Sequence, residues 1–501
     1  MLREKSVIKL KKALSILFAI SFLLSASSLI NQKIFLKASS VTLIAGSITI
    51  IVPDNYATIQ GAIDNANSGD TIFVRKGTYL EHVVIDKSIT LIGENRDLTI
   101  IDGSKINNVI SIEADNVCVN SFTIRKSGIY PYSGIFIDHH TGSTIINNKV
   151  TGNYEGISIS YSSNNTICDN VISSNSEGIC LHFSSNNLVS NNAIESSAYD
   201  GIYLHFSSNN VVSNNLILRN NFQGISLYFS SNNTICGNTI LSNSNGIRLT
   251  FSSNNTIYHN NLNNMDQVWT ESTNIWIFDD EGNYWSDYTG QDLNGDGIGD
   301  APYVIDENNK DDNPLMGIFS DFSVSLERET YHVTIISNST ISNFNFGFGM
   351  DTGNKIIRFN VTDKDDTVGF SRMTIPIKLM NYPLIVLVDG IEVSSVLLNI
   401  SDKAKVCLYF TYPNKNSTIG IIYSETLYRY YELLSSFLER FKAMNATYQN
   451  HLLDYSEQMQ NIRSLMYIFA STTAVFIVTT IYLSKRAHER TAKKSKEFEG
   501  E

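Results

Sequence analysis

The chain has 501 residues, a formal net charge of −12 and 17% charged residues. This length exceeds what one hydrophobic core usually holds, so we expect two or three domains. The acidic balance excludes a nucleic-acid-binding protein, because no basic stripe is available to neutralise phosphates. The five cysteines are scattered and show neither metal-ligand spacing nor a disulfide framework.

Residues 1–38 have the composition of a targeting segment. A basic stretch from Arg3 to Lys12 precedes an apolar run with small residues near Ala26. This order is typical of a secretion signal peptide, and an uncleaved N-terminal signal anchor is the alternative. Either segment predicts that the chain after it is extracytoplasmic.

One sequence unit repeats along residues 48–316. Its turn, Ser-Ser-Asn-Asn, ends at Asn165, Asn187, Asn210, Asn233 and Asn255, so successive copies lie 22 or 23 residues apart. Apolar residues alternate with polar ones inside each copy, which predicts short strands with one buried face. A unit this short buries that face only against other copies. We therefore predict a parallel β-helix, whose equivalent residues lie about 4.8 Å apart.

Alignment of the copies produces columns of equivalent residues. We expect an interior column to hydrogen-bond between coils; it comprises Asn148, Asn170, Asn192, Asn215, Asn238 and Asn260. An outward column comprises Asp138, Ser160, His182, His205, Tyr228 and Thr250. Its two stacked histidines are candidates for binding a transition metal or a ligand, or for acid–base chemistry. The alternative is a solvated polar ladder.

A glycine recurs once in each copy of the repeat. The residues directly before these glycines form a third column, which comprises Glu155, Glu177, Asp200, Gln223 and Asn245. Its carboxylates would suit sugar chemistry or calcium. We interpret them instead as turn residues, whose neutral neighbours dilute the charge. Only two basic residues, Arg219 and Arg248, stand at the repeat spacing. So few positive charges would not neutralise a polyuronate, which disfavours a polyuronate lyase.

Two motifs flank the repeats. The first is "VPDNYATIQGAIDNANSGDTIFVRKGTYLEHVVIDKSITLIGENRDLTIIDG" (Val52–Gly103), in which "TIQGAIDNA" predicts a short helix covering the open end of the solenoid. The second is "GNYWSDYTGQDLNGDGIGDAPYVIDENNKDDNPLM" (Gly282–Met316). With the repeats, they resemble right-handed parallel β-helix proteins of the pectin-lyase-like superfamily, specifically the NosD-like family of the periplasmic copper-binding type. The resemblance implies carbohydrate binding or cleavage, or a role in copper delivery.

The loop "DLNGDGIGD" resembles a calcium-binding loop. Asp292, Asn294, Asp296 and Asp300 occupy alternate ligand positions, and the carbonyl of Ile298 occupies another. Tyr303 stands where a bidentate acid is expected, so the set is incomplete. We predict a calcium site in this C-terminal cap, and an acidic hydrated turn is the alternative.

Aromatic residues cluster after the last coil, at Trp269, Trp276, Tyr284 and Trp285. Such rings stack on sugars, and they also form hydrophobic lids. We favour a lid on the C-terminal coil.

Residues 321–424 contain short alternating runs such as "YHVTII" and "KVCLYFTY" between turn-forming residues. This spacing predicts a small β-sandwich. Glycosylation sequons at Asn338, Asn360, Asn399 and Asn416 agree with an external surface and predict a glycoprotein.

Residues 425–464 carry a heptad seam that includes Leu427, Leu434, Leu438 and Tyr455. The seam predicts a helical, coiled-coil stalk and a homo-oligomer formed through it. A helix packed against the sandwich is the alternative.

Residues 465–483 are uncharged, long enough to cross a bilayer, and followed by a basic tail, residues 484–501. We expect a single-pass membrane protein with its C-terminus in the cytoplasm. Our first functional hypothesis is a non-enzymatic surface module that binds glycans or envelope components. A polysaccharide lyase, hydrolase or epimerase is the second, and copper delivery, implied by the resemblance alone, is the third.

Overall fold

The computed structural model describes residues 47–349, 352–362, 368–413, 416–451 and 459–498. The predicted targeting segment lies outside these residues. The chain divides into two compact units, with a boundary between Asp321 and Phe322.

The first unit is a parallel β-helix with three sheets, which confirms the predicted fold. Sheet A contains Thr49–Val52, Thr71–Val74, Thr90–Gly93, Cys118–Asn120, Thr144–Ile146, Thr166–Cys168, Leu188–Ser190, Val211–Ser213, Thr234–Cys236 and Thr256–Tyr258. Sheet B contains Gly77–Tyr79, Thr99–Ile106, Thr123–Ser127, Lys149–Thr151, Val171–Ser173, Ala193–Glu195, Leu216–Leu218, Thr239–Leu241, Asn261–Asn263 and Tyr284–Trp285. Sheet C contains Val83–Ile85, Ile110–Ile112, Ser133–Asp138, Glu155–Ser160, Glu177–His182, Ile202–His205, Gln223–Tyr228, Asn245–Thr250 and Asp266–Thr270.

Equivalent residues of successive coils pair in register. In sheet C, for example, Ile157 pairs with Ile179, and Ile179 pairs with Ile202. These isoleucines are completely buried. The glycine column follows from the close approach of the coils, because a Cβ on Gly156 would lie 2.5 Å from the carbonyl oxygen of Gly178.

Buried asparagines connect the coils. The backbone N–H of Asn170 donates to Oδ1 of Asn192 (3.0 Å), and its Nδ2 donates to the carbonyl of Ile145 (2.9 Å). The same pattern runs from Asn148 to Asn260 and continues to Asn283. Two further asparagine ladders, which the sequence analysis did not identify, include Asn165–Asn187–Asn210 and Asn220–Asn243–Asn264.

Both ends of the solenoid are covered. Helix α1 (Ile59–Asn65) buries Ile59 and Ile63 in the core, and the carboxylate of Glu81 accepts hydrogen bonds from its first two backbone amides. At the other end Trp276 and Trp285 are buried, as expected for a lid. The two-stranded ribbon Tyr303–Val304 and Lys310–Asp311 follows them.

The second unit contains two antiparallel five-stranded sheets, so the sandwich-like region is confirmed. One comprises Ile318–Leu326, Glu329–Ser337, Val368–Pro376, Lys405–Pro413 and Ser395–Leu397. The other comprises Thr340–Phe348, Lys355–Thr362, Ser417–Tyr423, Ile385–Val388 and Ile391–Val393. Val333, Phe359 and Leu408 belong to the buried cluster between them.

Helices α2 (Glu425–His451) and α3 (Met459–Phe498) follow the sandwich. Leu427 packs against a small cluster of the sandwich that contains Leu387, so the first turn of α2 contacts the sandwich as the alternative interpretation proposed. Leu434 and Leu438 are exposed further along. The rest of the predicted seam falls partly on residues 452–458, outside the described residues, and the homo-oligomer stays a prediction.

Within α3, Met466–Arg486 is long and apolar enough to cross a membrane, with a mean hydropathy of 1.7 over the most apolar part. It overlaps the span predicted at residues 465–483.

Candidate functional site: the outer face of sheet C

Three columns of side chains form the outer face of sheet C. The first comprises Ser133, Glu155, Glu177, Asp200, Gln223 and Asn245. The middle column comprises Phe136, Ser158, Cys180, Tyr203, Ser226, Arg248 and Trp269, which pair in register along the sheet. The third is the outward column predicted from the sequence, from Asp138 to Thr250. The first and third columns were predicted separately from the sequence, and the middle column was not predicted.

The interpretation of the first column as turn residues was wrong for the four members that begin strands, whereas Asp200 lies outside the strand Ile202–His205. Glu155 and Glu177 are the first residues of strands, and they pair with each other across neighbouring coils. Oε1 of Glu155 lies 3.6 Å from Nε2 of His182, and Oε2 accepts a hydrogen bond from Ser133. The glycine after each acid suggested a turn, although it serves the close packing of the coils.

The carboxyl groups of this column have different proton affinities. Burial tends to raise the pKa of Glu155, but hydrogen bonds from His182, Ser158 and Ser133 outweigh it, and the pKa lies below its ordinary value. Burial and the neighbouring charges of Asp200 and Glu155 raise the pKa of Glu177 to about 8. Burial raises the pKa of Asp200 to about 6, although hydrogen bonds from Gln223 and Ser226 oppose the shift.

A cysteine and two histidines lie beside these acids. Cys180 is buried between Glu155 and His182, and burial raises the pKa of its thiol well above the ordinary value. Within the described residues, one ligand atom from each of Glu155, Cys180 and His182 lies within 4.8 Å of the other two. The ring centroids of His182 and His205 are 5.8 Å apart, so the predicted histidine neighbours do meet on adjacent coils. Burial, together with the charge of His182, lowers the pKa of His205.

Aromatic side chains stand at both edges of this face. After the last residue of each strand, Tyr161, Phe183, Phe206, Phe229 and Phe251 form a half-exposed stack with ring centroids 4.9–5.1 Å apart. Directly before residues of the first column, Tyr154 contacts Tyr130 and Tyr199 contacts Phe222, both in non-parallel geometry. The stacked rings cover each other's faces, so the second edge offers the better ring surface to a ligand.

Trp269 belongs to this face and not to the lid. It is 38% exposed, and the guanidinium of Arg248 lies 4.6 Å from its ring centroid. Arg248 is the one arginine or lysine in the three columns. The face is therefore acidic along its middle coils and cationic only near its C-terminal end.

In the predicted calcium loop, backbone amides donate hydrogen bonds to the carboxylates of the same loop. Asp292 accepts hydrogen bonds from the backbone amides of Gly295, Asp296 and Gly297. The side chain of Asp300 accepts one from Leu293. Among the described residues, the aspartates of this loop do not converge as a group of three metal-ligand side chains. Calcium binding here stays a prediction.

The fold and this face define the class: a parallel β-helix protein with one sheet surface rich in titratable and aromatic groups. Residues 63–290 match the model of the family described as periplasmic copper-binding protein (NosD). This match confirms the resemblance predicted from the sequence. It covers most of the β-helix and none of the second unit.

A curated relative, the "Cell surface glycoprotein" of Methanothermus fervidus, is 35% identical over 97 residues. The aligned part makes up 19% of this chain and 16% of the relative. The chain thus spans only a small part of that protein's length.

Solved structures with a similar fold are more distant. An alginate lyase from Paenibacillus is 17% identical with a TM-score of 0.37, over 47% of this chain and 94% of that one. Pectate lyase Pel9A is 14% identical with a TM-score of 0.37, over 50% of this chain and 82% of that one. The mannuronan C-5 epimerase AlgE6 A-module from Azotobacter vinelandii is 17% identical with a TM-score of 0.35, over 43% of this chain and 74% of that one.

The family name directs attention to copper, and the residues present fit such an ion. Thiolate and imidazole are ligands that copper accepts readily. Cys180 and His182 supply them side by side, with the carboxylate of Glu155 as a third donor. This group was not predicted from the sequence, because Glu155 lies one coil before Cys180 and His182.

Proposed function

We propose that this chain is a membrane-anchored cell-surface protein that binds glycans or other envelope components along the outer face of sheet C, without changing them chemically. The observation that carries the proposal is the arrangement of that face: a polar floor with aromatic side chains at both edges. Hydrogen-bonding groups that fix hydroxyls, together with ring surfaces that pack on pyranose faces, are what sugar recognition requires.

Charge narrows the class of glycan. Glu155, Glu177 and Asp200 occupy neighbouring coils in the middle of the face, and Arg248 alone among its three columns carries a fixed positive charge. A polyuronate would bring further negative charge to this floor. A neutral or amino-sugar polymer is the better match.

The proposed topology leaves the β-helix and the sandwich outside the cell. The apolar helix Met466–Arg486 is the anchor. The basic residues at its C-terminal end and beyond, including Lys485, Arg486 and Arg490, favour a cytoplasmic C-terminus by the positive-inside rule.

The test is binding of the full chain, in detergent, to an array of neutral, amino and uronic polysaccharides. Tyr199→Ser and His205→Tyr alter the face while introducing residue types that stand at equivalent positions of other coils, Ser176 and Tyr228. We expect each to weaken retention on a neutral or amino polymer by about tenfold, since one aromatic contact is lost or reshaped. Thr234→Ala on sheet A is the control. Retention that these face variants leave unchanged would contradict the proposal.

A hydrolase acting at the same face is the second candidate. Glu155 and Glu177 are neighbours in register, and coils about 4.8 Å apart approach the carboxyl spacing of retaining glycosidases, about 5–5.5 Å. If the chain releases new reducing ends from a bound polymer, and Glu177→Gln abolishes this release, the hydrolase replaces the binding protein as the proposed function. Binding without such release supports the first proposal.

A further inference from the structure

The strongest unassigned feature of the molecule is the group of three different metal-ligand side chains on the coils at Glu155 and Cys180. One ligand atom from each of Glu155, Cys180 and His182 lies within 4.8 Å of the other two. The side chain of His182 is 24% exposed and that of Glu155 is 11% exposed, whereas Cys180 is buried. An ion at this point would be reached from solvent on the side of His182.

The surroundings of the group favour a cation. Glu177 and Asp200 continue the acidic column directly beside it, and Glu177 pairs in register with Glu155, so the stacked carboxyls repel one another when ionised. A bound divalent or monovalent metal ion offsets this repulsion more directly than any side chain of the face, since Arg248 lies three coils from Glu177.

Neighbouring side chains hold two of the ligands in place. Ser133 donates a hydrogen bond of 3.1 Å to Oε2 of Glu155, which leaves Oε1 directed at His182. Tyr203 and His205 pack edge-on against the His182 ring, at centroid distances of 6.0 and 5.8 Å. Such neighbours orient metal ligands and limit their rotation.

The donor atoms select the kind of metal. Calcium and magnesium take oxygen ligands, of which this group offers only one residue. A thiolate with an imidazole suits zinc and copper(I), and three protein ligands leave a position open for water or an exchanging partner.

We propose that Glu155, Cys180 and His182 bind one transition-metal ion, zinc or copper(I), through carboxylate, thiolate and imidazole on the outer face of sheet C. The site does not depend on glycan binding, because all three protein ligands belong to this chain.

The repeat supplies variants that are compatible with folding. Cys180→Ser introduces the residue found at Ser158 and Ser226, the equivalent positions of nearby coils. Glu155→Gln imitates Gln223, and His182→Ser imitates Ser160. Cys236→Ser imitates Ser213, its partner in sheet A. It is the matched control, since it removes a cysteine that does not lie on sheet C.

The experiment titrates the metal-free full chain, in detergent, with cobalt(II) as a spectroscopic probe, then with zinc and with copper(I) in a competing chelator. We expect one cobalt per chain and a thiolate-to-metal charge-transfer band. Cys180→Ser should abolish the band. Glu155→Gln and His182→Ser should each weaken binding by at least tenfold, because even the loss of an outer hydrogen-bond partner costs that much.

Circular dichroism of each variant confirms that the β-helix is retained. Whichever of zinc and copper(I) displaces cobalt at the lower free concentration is identified as the preferred metal. A preference for either ion supports the proposed site. A charge-transfer band that persists in Cys180→Ser, or that disappears in Cys236→Ser, overturns the proposal. The proposal is also overturned if the unaltered chain binds none of the three ions stoichiometrically.

Discussion

At the scale of single residues, the asparagine amide explains why the same side chain recurs in every coil. In Asn192, Oδ1 accepts the backbone N–H of Asn170, and Nδ2 donates to the carbonyls of Ile167 and Ser190. The amide does both at once because its oxygen accepts while its separate NH2 group carries two donors. Each ladder thereby satisfies buried backbone groups at turns, which otherwise cost free energy.

A break in one ladder allows a gain of stability. Ser197 occupies the ladder position between Asn175 and Asn220, and its buried hydroxyl has no hydrogen-bond partner. Ser197→Asn would supply an acceptor to Asn175 and a donor to the preceding coil. We expect the free energy of unfolding to rise by about 1 kcal/mol, measured from the thermal midpoint. Ser197→Ala, which only removes the hydroxyl, should be close to neutral; an equal gain in both variants would refute the ladder explanation.

A second prediction concerns Asp311, whose carboxyl group ends the asparagine ladder that runs from Asn148 to Asn283. Asp311 accepts hydrogen bonds from the backbone of Asn283 and from Nε1 of Trp285, and burial raises its pKa to about 6. An acid whose pKa is higher in the folded state stabilises the fold while it is protonated, below about pH 4, and loses that contribution as pH rises through 6. We expect Asp311→Asn to remove this part of the pH dependence.

The measurement is the unfolding free energy of both proteins between pH 4 and 7. Relative to Asp311→Asn, the unaltered chain should lose up to about 3 kcal/mol over this interval, since one pKa unit corresponds to about 1.4 kcal/mol. Parallel pH profiles of the two proteins would show that Asp311 does not carry the effect. Glu177 and Asp200 contribute equally to both profiles and cancel.

At the scale of elements, the sheets of the β-helix differ in what they present outward. Sheet A displays mostly threonine, serine and cysteine at strand ends, whereas sheet C displays acids, histidines and aromatics. The inward residues of both are the same buried isoleucine, leucine and valine columns. The scaffold therefore tolerates variation of the outer columns, and function is best sought in sheet C.

The cap loop allows a direct test of calcium. If Asp292, Asn294, Asp296, Asp300 and the carbonyl of Ile298 bind calcium, the ion will stabilise the folded chain by mass action. We expect millimolar calcium to raise the thermal midpoint by several degrees, and Asp296→Ala to abolish the increase. Asp312→Ala, on an exposed acid nearby, should respond as the unaltered chain does. No calcium-dependent shift in the unaltered chain would leave the loop as a hydrated turn.

At the scale of the whole molecule, the chain divides into two compact units, and the unit that contains the sandwich also includes one apolar helix near its C-terminal end. The curated relative is described as a cell surface glycoprotein, and the similar stretch makes up 16% of its length. The family match is confined to the β-helix, so the sandwich and helices α2 and α3 lie outside the matched region.

This arrangement predicts how the chain fractionates. A stop codon after residue 464 removes Met466–Arg486 and should shift the protein from the membrane fraction to the soluble fraction, because no other described helix is long and apolar enough to span a bilayer. Retention of the truncated chain in membranes would indicate that residues 1–38 act as an uncleaved anchor. Protease treatment of intact cells, with immunodetection of the C-terminal tail, tests the topology.

The sequence by itself determined the solenoid, because a 22- or 23-residue period with alternating apolar residues has one economical solution, the stacking of identical coils. It also predicted the ladder from Asn148 to Asn260, the neighbouring His182 and His205, and the apolar C-terminal helix. All of these depend on local patterns or on the repeat length.

Only the tertiary structure decided which columns share a surface. The backbone at each glycine departs from simple alternation, so Glu155 lies on the same face as Cys180 and His182, although the alternation of its strand alone would place it inward. The period relates a residue to its equivalent 22 or 23 positions away, along the axis of the helix. Contacts between different columns depend instead on the path of the backbone within a coil, which the spacing of residues does not encode.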